Sequence, residues 1–259
     1  MIIIRPKKKL GQHFLMDHNI ASKIVNSLGT AVPDVLEVGA GKGILTRFLL
    51  QRPELNLHII EIDPEFVEFL RENFSLPPEH LHLANFLKWY PDCFSGSFSI
   101  IGNFPYNISS QIFFRILEMH ERIPEVVGMV QKEVAKRISS PPGSKTYGIL
   151  SVLIGAFYDI DYLFTVSPKV FIPPPKVQSA VIRLRHNSTG NLPCREDLFF
   201  ATVKKAFNRR RKMLRNSLNE PGLKIPGEYA EKRPEQLSVD DFIRLTRILE
   251  NQKDSRYGS

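Results

Sequence analysis

Short apolar runs alternate with segments of helical periodicity from about residue 18 to residue 166, and this alternation is the strongest constraint on the fold. A strand of a parallel sheet is buried on both faces and reads as a short apolar run, while a crossover helix shows apolar positions at helical spacing. The pattern therefore predicts an α/β domain built on a doubly wound parallel sheet. Predicted strands cover residues 35–38, 57–62, 81–84, 98–102 and 126–130, and predicted helices cover residues 44–50, 64–73, 110–119 and 146–156.

A change in composition predicts the end of this domain. Two further β-rich runs, at residues 162–166 and 177–184, are followed by a polar loop at residues 186–193. Clusters of small polar residues, glycine and proline mark loops between structured segments. We therefore predict a first domain at residues 1–185 and a small α-helical domain at residues 186–259, where no strand signal appears.

The predicted helical domain is strongly basic. The chain has a net charge of +8, and residues 204–215 hold seven cations and no acid. Such a run indicates a polyanionic partner, and the alternative is a solvated helix face. The apolar residues of this segment recur at intervals of 4, 7 and 4, which predicts one helix with an apolar face formed by Val203, Phe207, Leu214 and Leu218. The predicted phosphate contacts are Lys204, Lys205, Arg209, Arg210, Arg211, Lys212 and Arg215, with further contacts from the lysines at positions 7–9.

Cysteine and histidine usage excludes several classes of site. Cys93 and Cys194 lie 101 residues apart with no C-x-x-C pair, which excludes a disulfide framework and a cysteine-based zinc module. The seven histidines are scattered along the sequence, so we expect buried or idle rings and no metal site. No apolar stretch approaches the roughly 20 residues that span a bilayer, and the first residues lack the order of a signal peptide. We therefore expect a cytoplasmic protein without a membrane partner.

A glycine-rich turn follows the first predicted strand and precedes a predicted helix. Glu37, Gly39, Gly41 and Gly43 occupy alternate positions there. Glycines at such a turn allow the backbone to approach a ligand closely. A nicotinamide fingerprint would require glycine at position 44, which is Ile44 in this chain. The spacing instead resembles the turn of S-adenosylmethionine-dependent methyltransferases, and the alternative is a structural glycine turn.

An acidic residue ends the second predicted strand. Glu61 lies 22 residues after Gly39, close to the separation of about 20 residues expected for a carboxylate that binds ribose hydroxyls. The competing interpretation is a helix N-cap, which suits Asp63 better than Glu61.

Asn103, Phe104, Pro105 and Tyr106 close the fourth predicted strand. The lone pair of an exocyclic amine is delocalised into its ring, so its methylation requires the amine to be reoriented. The side-chain oxygen of Asn103 and the main-chain oxygen of Phe104 can accept both N–H bonds and direct the lone pair toward a methyl donor. Tyr106 can stack on the base, and Pro105 fixes the turn without adding an N–H donor. The four residues predict a catalytic site, although the same string also occurs in ordinary turns.

Five segments follow one another in the order found in a known family: residues 10–15, 37–43, 103–109, 171–181 and 207–218. Together they resemble the small-subunit (16S) ribosomal RNA adenine N6,N6-dimethyltransferases, the kasugamycin-sensitivity enzymes, over residues 7–250. The resemblance implies a Rossmann-like methyltransferase domain with a small C-terminal helical domain and S-adenosylmethionine as cofactor. It further implies a monomer that dimethylates two adjacent adenosines near the 3′ end of small-subunit ribosomal RNA, within a pre-ribosomal small subunit.

The resemblance also assigns roles to single residues. An Asp is usual in the family where this chain has Asn85, whose side-chain oxygen can still accept a hydrogen bond from the cofactor's adenine amine. Phe171 falls where the family places a second aromatic residue against the target base, and the alternative is a core aromatic. The implied cofactor contacts are His13, Leu15, Gly39, Gly41, Glu61, Asn85 and Asn103.

Three other functions were weighed. A large-subunit ribosomal RNA methyltransferase of the erythromycin-resistance type shares the catalytic core, but the segments at 171–181 and 207–218 favour the small-subunit branch. A non-catalytic ribosome-assembly factor would not need the intact residues Asn103, Tyr106 and Glu61. A nicotinamide dehydrogenase is disfavoured by Ile44.

Overall fold

The chain folds into two compact units. The computed structural model describes residues 11–29, 32–187, 192–220 and 223–257, so the lysines at positions 7–9 and part of the predicted loop at 186–193 lie outside the described residues. The first unit comprises residues 1–135 and 160–186, and the second comprises residues 136–159 and 187–259.

The first unit is built on a seven-stranded sheet. Nine strands occur among the described residues of the chain, and seven of them form this sheet. The strands are β1 (Phe14–Leu15), β2 (Asp34–Val38), β3 (Asn56–Glu61), β4 (Leu81–Leu83), β5 (Ser99–Asn103), β6 (Glu125–Gln131), β7 (Tyr158–Val166), β8 (Phe171–Ile172) and β9 (Ser179–His186). The order in the sheet is β4-β3-β2-β5-β6-β9-β7, with β2 to β6 paired in parallel and β9 antiparallel to β6. The predicted α/β class is confirmed, and the five predicted parallel strands match those observed to within one or two residues.

Helix α1 (His18–Asn26) precedes β2. Helices α2 (Ile44–Leu49), α3 (Pro64–Asn73) and α4 (Ser109–Leu117) connect parallel strands. The start of α3 follows from its sequence, because Asp63 accepts the N–H of Glu65 and Pro64 occupies the first turn, where its missing N–H costs nothing. Asp63 is therefore the N-cap, as predicted, which leaves the Glu61 carboxyl group available for another role.

A second, two-stranded sheet was not predicted. Leu15 of β1 pairs with Phe171 of β8 in antiparallel register, although 156 positions separate them in the sequence. Two-residue strands have no periodicity to detect, so only the folded chain reveals this pairing.

The second unit is helical throughout its described C-terminal part, and no strand occurs among residues 192–220 and 223–257. Helix α5 (Lys132–Ile138) leads into this unit, which also contains α6 (Ile149–Phe157), α7 (Glu196–Asn208), α8 (Leu214–Ser217), α9 (Gly227–Ala230) and α10 (Val239–Tyr257). Because α6 packs against α7 and α10, residues 136–159 group with the C-terminal helices and not with the predicted first domain.

The predicted single helix across residues 203–218 is wrong. Helix α7 ends at Asn208, residues 209–213 form turns and coil, and α8 begins at Leu214. Val203, Phe207, Leu214 and Leu218 are all buried, as their spacing predicted. Val203 and Phe207 lie on α7, whereas Leu214 begins α8 and Leu218 follows its end. No described helix is both long enough and apolar enough to cross a membrane.

Candidate active site

A cavity of about 280 Å³ in the first unit brings together residues from five parts of the chain. It lies where β2, β3 and β5 end, at the point where the strand order reverses, and doubly wound sheets bind their ligands at this point. The predicted site residues in its lining are His13, Leu15, Gly39, Gly41, Glu61, Asn85, Asn103, Phe104, Pro105 and Tyr106.

The glycine turn requires its glycines for backbone reasons. Gly39, Gly41 and Gly43 have φ angles of 73°, 53° and 72°, in the left-handed region that side chains with a Cβ rarely adopt. A Cβ on Gly43 would also lie 2.4 Å from the Phe74 ring. The turn therefore presents bare backbone to the cavity and begins α2 directly afterwards.

Glu61 ties the glycine turn to the end of β3. One of its carboxylate oxygens accepts the Gly41 N–H at 3.0 Å, and the other accepts the N–H groups of Ile62 and Asp63 at 2.8 and 3.1 Å. Burial raises the pKa of Glu61, and these backbone hydrogen bonds oppose the rise. Carboxylate oxygens can accept more than one hydrogen bond each, so the group can still bind a ligand hydroxyl.

Glu37 is a second buried acid in the cavity lining. Burial raises its pKa to about 7, and the hydroxyl of Thr46, which donates to Oε2 at 2.6 Å, opposes the rise. In the sequence, Glu37 served only to recognise the turn, and the raised pKa of its carboxyl group follows from its burial.

Asn103 is oriented by the chain segment that precedes β1. Its side-chain Nδ2 donates to the main-chain oxygen of His13 at 3.0 Å, across 90 residues of sequence. The amide group has two donors and one acceptor oxygen, and this bond uses one donor. Its oxygen Oδ1 is therefore the acceptor that the side chain offers to a ligand.

Phe104 contributes its backbone to the cavity and its ring to the core. The ring is fully buried and lies in a slot between Gly102 and Gly128, where a Cβ on either residue would approach it to within 3 Å. The main-chain N–H of Phe104 donates to the oxygen of Met129 at 3.0 Å. The slot fixes the backbone that follows Asn103.

Tyr106 is held by neighbours on both its ring and its hydroxyl. Its ring stacks on His13 with centroids 5.3 Å apart, and its hydroxyl forms a short hydrogen bond with that of Ser179. The Nδ1–H of His13 in turn donates to the oxygen of Pro173 at 2.8 Å. His13 therefore supports the aromatic residue of the motif, a role that the sequence does not show.

Asn85 uses its side-chain oxygen within the protein. Oδ1 accepts the N–H of Leu87 at 3.0 Å, which fixes the loop after β4 at the edge of the cavity. The Asn85 oxygen that was predicted to accept from the cofactor's adenine amine therefore already accepts one hydrogen bond within the protein. The other group of the side chain, its NH₂, can only donate.

Phe171 does not lie in the cavity lining, so its predicted stacking on the target base is not retained. The side chain is 2% exposed and belongs to the hydrophobic core, while the backbone pairs with Leu15. The alternative interpretation as a core aromatic agrees with this placement.

The basic run of the second unit divides into paired and unpaired cations. Lys205 bonds Glu220, Arg215 bonds Glu231, and Arg210 donates to the main-chain oxygens of Ser144 and Lys145. The Nζ of Lys204 lies 5.9 Å from the centre of the Phe200 ring. In this run, Arg209, Arg211 and Lys212 are exposed and form no ion pair with any described residue.

Several cavity residues were missed by sequence analysis. Phe14 stands between two predicted contacts, its ring packs on Phe66, and Lys42 approaches its face. Ile62 follows Glu61 and is 48% exposed, which is unusual for an apolar residue at a strand end. Both neighbour predicted residues in the sequence, and that proximity is the signal that could have identified them.

Three histidines that are separate in the sequence lie close together in the structure. The rings of His58, His80 and His82 lie together beside β4, with the centroids of His58 and His80 only 4.0 Å apart.

Comparison with known proteins decides the family. The family model described as "Ribosomal RNA adenine dimethylase" matches residues 4–253. The chain belongs to this family. It is 52% identical to "Ribosomal RNA small subunit methyltransferase A" of Flavobacterium johnsoniae, with 95% of this chain and 97% of that protein covered. It is 49% identical to the protein of the same name from Parabacteroides distasonis, with 100% and 99% covered.

Solved structures show the same fold. A dimethyladenosine transferase from Plasmodium falciparum matches with a TM-score of 0.78 and 23% identity, covering 93% of this chain and 98% of that one. The 23S rRNA methyltransferase ErmE matches with a TM-score of 0.67 and 25% identity, covering 91% and 99%.

The family membership gives the activity. The chain is an S-adenosylmethionine-dependent ribosomal RNA adenine dimethyltransferase of the small-subunit branch, and the erythromycin-resistance alternative is not favoured. The cavity fits this cofactor, because the space beside Gly39 is open: a Cβ there would have only Pro105 within 4 Å, at 3.9 Å. The bare turn, the buried acid and the open space form a cradle for an adenosine with a methionine tail.

The slot around Phe104 predicts a stability effect. In Gly128→Ala the new methyl group would lie 2.6 Å from the Phe104 ring, which has no exposed surface and no room to retreat. We expect unfolding free energy to fall by about 1–3 kcal/mol, as is typical of overpacking. Urea denaturation of both proteins measures the difference.

Gly96→Ala is the matched control, because nothing lies within 4 Å of the added Cβ. Its effect should stay within about 0.5 kcal/mol. Equal effects of the two substitutions would show that the Phe104 slot is not tight.

Proposed function

We propose that Asn103 and the main-chain oxygen of Phe104 hold the N6 amine of a flipped-out adenine in the cavity of the first unit. The observation that carries this proposal is the bond from Asn103 Nδ2 to the His13 oxygen, because it fixes the amide so that Oδ1 serves as acceptor. The target base has to leave its stack to reach a cavity of this kind.

Bound S-adenosylmethionine supplies an electrophilic methyl group on a sulfonium centre. The two oxygens from the chain accept the N–H bonds of the amine, draw its nitrogen toward tetrahedral geometry and aim its lone pair away from the ring. Positioned acceptors of this type act mainly in the transition state, because both bonds strengthen as positive charge develops on nitrogen. The amine proton leaves after the methyl group has moved, so no strong base is needed.

Tyr106 provides the stacking surface for the base in this proposal. Its ring is partly exposed at the cavity and is fixed by His13 and Ser179, so little side-chain entropy remains to be lost on binding. Glu61 would accept ribose hydroxyls of the cofactor, and Asn85 would face the cofactor's adenine.

The substrate we propose is a pair of adjacent adenosines near the 3′ end of small-subunit ribosomal RNA, within a pre-ribosomal small subunit. The support is the small-subunit name of the relatives and the presence of the segments at 171–181 and 207–218. We further propose, from the resemblance to the dimethyltransferase family, that the protein acts in the cytoplasm as a monomer.

The turn that follows α7 is the RNA contact we propose in the second unit. Arg209, Arg211 and Lys212 are exposed and carry no carboxylate partner among the described residues, so binding a phosphate breaks no ion pair. Lys205, Arg210 and Arg215 already have partners and would contribute less than the sequence suggested.

Replacing Asn103 by Ala should reduce turnover far more than cofactor affinity. Loss of one positioned transition-state hydrogen bond commonly lowers kcat by 10²–10³-fold. Methyl incorporation into small subunits that lack the modification measures kcat, and calorimetry measures cofactor binding. If the variant kept more than about a tenth of wild-type turnover, the role of Asn103 would be excluded.

Replacing Asn85 by Asp should leave cofactor binding unchanged or tighten it by up to about tenfold, which corresponds to 1.4 kcal/mol. One carboxylate oxygen can keep the Leu87 N–H while the other accepts from the cofactor's adenine amine. Calorimetric titration with S-adenosylmethionine measures the affinity.

Asn85→Ala is the companion variant for this test. It loses the bond to Leu87 and should weaken binding. If Asn85→Asp bound S-adenosylmethionine more weakly than Asn85→Ala, position 85 would not lie against the adenine of the cofactor.

Replacing Arg209, Arg211 and Lys212 together by Gln should flatten the salt dependence of small-subunit binding. Each phosphate neutralised contributes roughly −0.7 to −0.9 to the slope of log K against log salt, so the slope should change by about 2–3 units. Cofactor affinity should not change, because the cavity lies in the first unit.

The control removes three cations that are already paired. Arg195, Arg215 and Lys253 contact Asp197, Glu231 and Glu220, so their replacement by Gln should leave the slope nearly unchanged. If wild type and the triple variant at Arg209, Arg211 and Lys212 gave equal slopes of log K against log salt, this turn would not be part of the RNA contact surface.

A further inference from the structure

A cluster of possible metal ligands lies on the sheet of the first unit, outside the cavity lining. His58 is on β3, His82 is on β4, and Cys93 is in the connection from β4 to β5. One ligand atom from each of the three side chains lies within 4.8 Å of the other two, and His58 Nδ1 is 3.1 Å from His82 Nε2.

Strand register brings the two histidines to one face. Ile60 of β3 pairs with His82 of β4 in parallel register. Side chains of a strand alternate between the two faces, so His58 and Ile60 point to the same side as His82. His58 and His82, which are 24 positions apart in the sequence, therefore come into direct contact only when β3 and β4 pair.

The distance between the two ring nitrogens is close to that in a tetrahedral zinc site. Zinc–nitrogen bonds of 2.0–2.1 Å place two tetrahedral nitrogen ligands about 3.3 Å apart. The observed separation of 3.1 Å between the two ring nitrogens needs only a small rotation to reach this value. Two imidazoles and a thiolate are ligands that favour zinc over magnesium or calcium.

A second layer of side chains supports the cluster. His80 stacks on His58, and its Nδ1–H donates to the Leu57 oxygen at 3.0 Å. The rings of Trp89 and Phe94 pack against His82 and His58. Such neighbours fix the orientation of ligating rings.

We propose that His58, His82 and Cys93 bind one Zn²⁺ ion, with water as the fourth ligand. Cys93 is exposed, so the ion can enter from solvent and keep a water molecule. Binding releases one proton, from the Cys93 thiol, and involves no redox change. The ion would tie the connection between β4 and β5, which also carries Asn85, to the sheet.

Cobalt is the probe for this site, because a thiolate on tetrahedral Co²⁺ gives a charge-transfer band together with d–d bands in the visible. Titration of the full-length, chelator-treated protein should develop both at one Co²⁺ per chain, and Zn²⁺ should displace them. Cys93→Ser should lose the charge-transfer band, whereas Cys194→Ser, which changes the buried cysteine of the second unit, should keep it.

Thermal unfolding provides the second readout. At free zinc about 100-fold above the dissociation constant, mass action should raise the folded-to-unfolded ratio about 100-fold in wild type. In Cys93→Ser and His82→Gln, the increase in the folded-to-unfolded ratio caused by zinc should be at least tenfold smaller than in wild type. The proposal fails if wild type binds no cobalt, if its cobalt complex lacks the charge-transfer band, or if Cys93→Ser keeps that band. Failure on any of these counts would leave a hydrogen-bonded histidine pair in place of a zinc site.

Discussion

The buried carboxylate of Glu61 is the interaction on which the geometry of the cavity depends. Its two oxygens accept three backbone N–H groups, one from the glycine turn after β2 and two from the start of the connection after β3. Unpaired N–H groups in so buried a place would each cost about 1–3 kcal/mol. By satisfying them, one side chain joins the ends of two neighbouring strands and holds the glycine turn in its left-handed conformation. The same group is then in place to meet a ligand at the point where the strand order reverses.

A second long-range contact aligns the proposed catalytic motif with this turn. Asn103 donates to the backbone of His13, and the His13 ring stacks on Tyr106 and donates to Pro173. Three distant stretches of sequence are thereby fixed around one end of β5. Since a loss of position of about 1 Å can cost a hundredfold in rate, such a rigid support matters as much as the identity of the motif residues.

The two units differ in the kind of surface that they present. The first unit contains every lining residue of the cavity, and the second carries the exposed cations that follow α7. A run of cations in the sequence does not show which of them has a carboxylate within reach. Ion pairs to Glu220 and Glu231 and bonds to main-chain oxygens account for Lys205, Arg215 and Arg210, respectively.

The sequence by itself determined the five parallel strands and the helices that follow them in the first unit, the glycine turn, Glu61 and the Asn103 to Tyr106 motif. Each of these depends on residues close together in the chain, whose periodicity and side-chain chemistry can be read directly. Only the tertiary structure decided that Phe171 belongs to the core, that α7 ends at Asn208, and that scattered histidines meet beside β4. These outcomes depend on strand register and on packing between segments that are far apart in sequence. Local sequence patterns do not specify such contacts, because a side chain's surroundings depend on which distant segment folds against it.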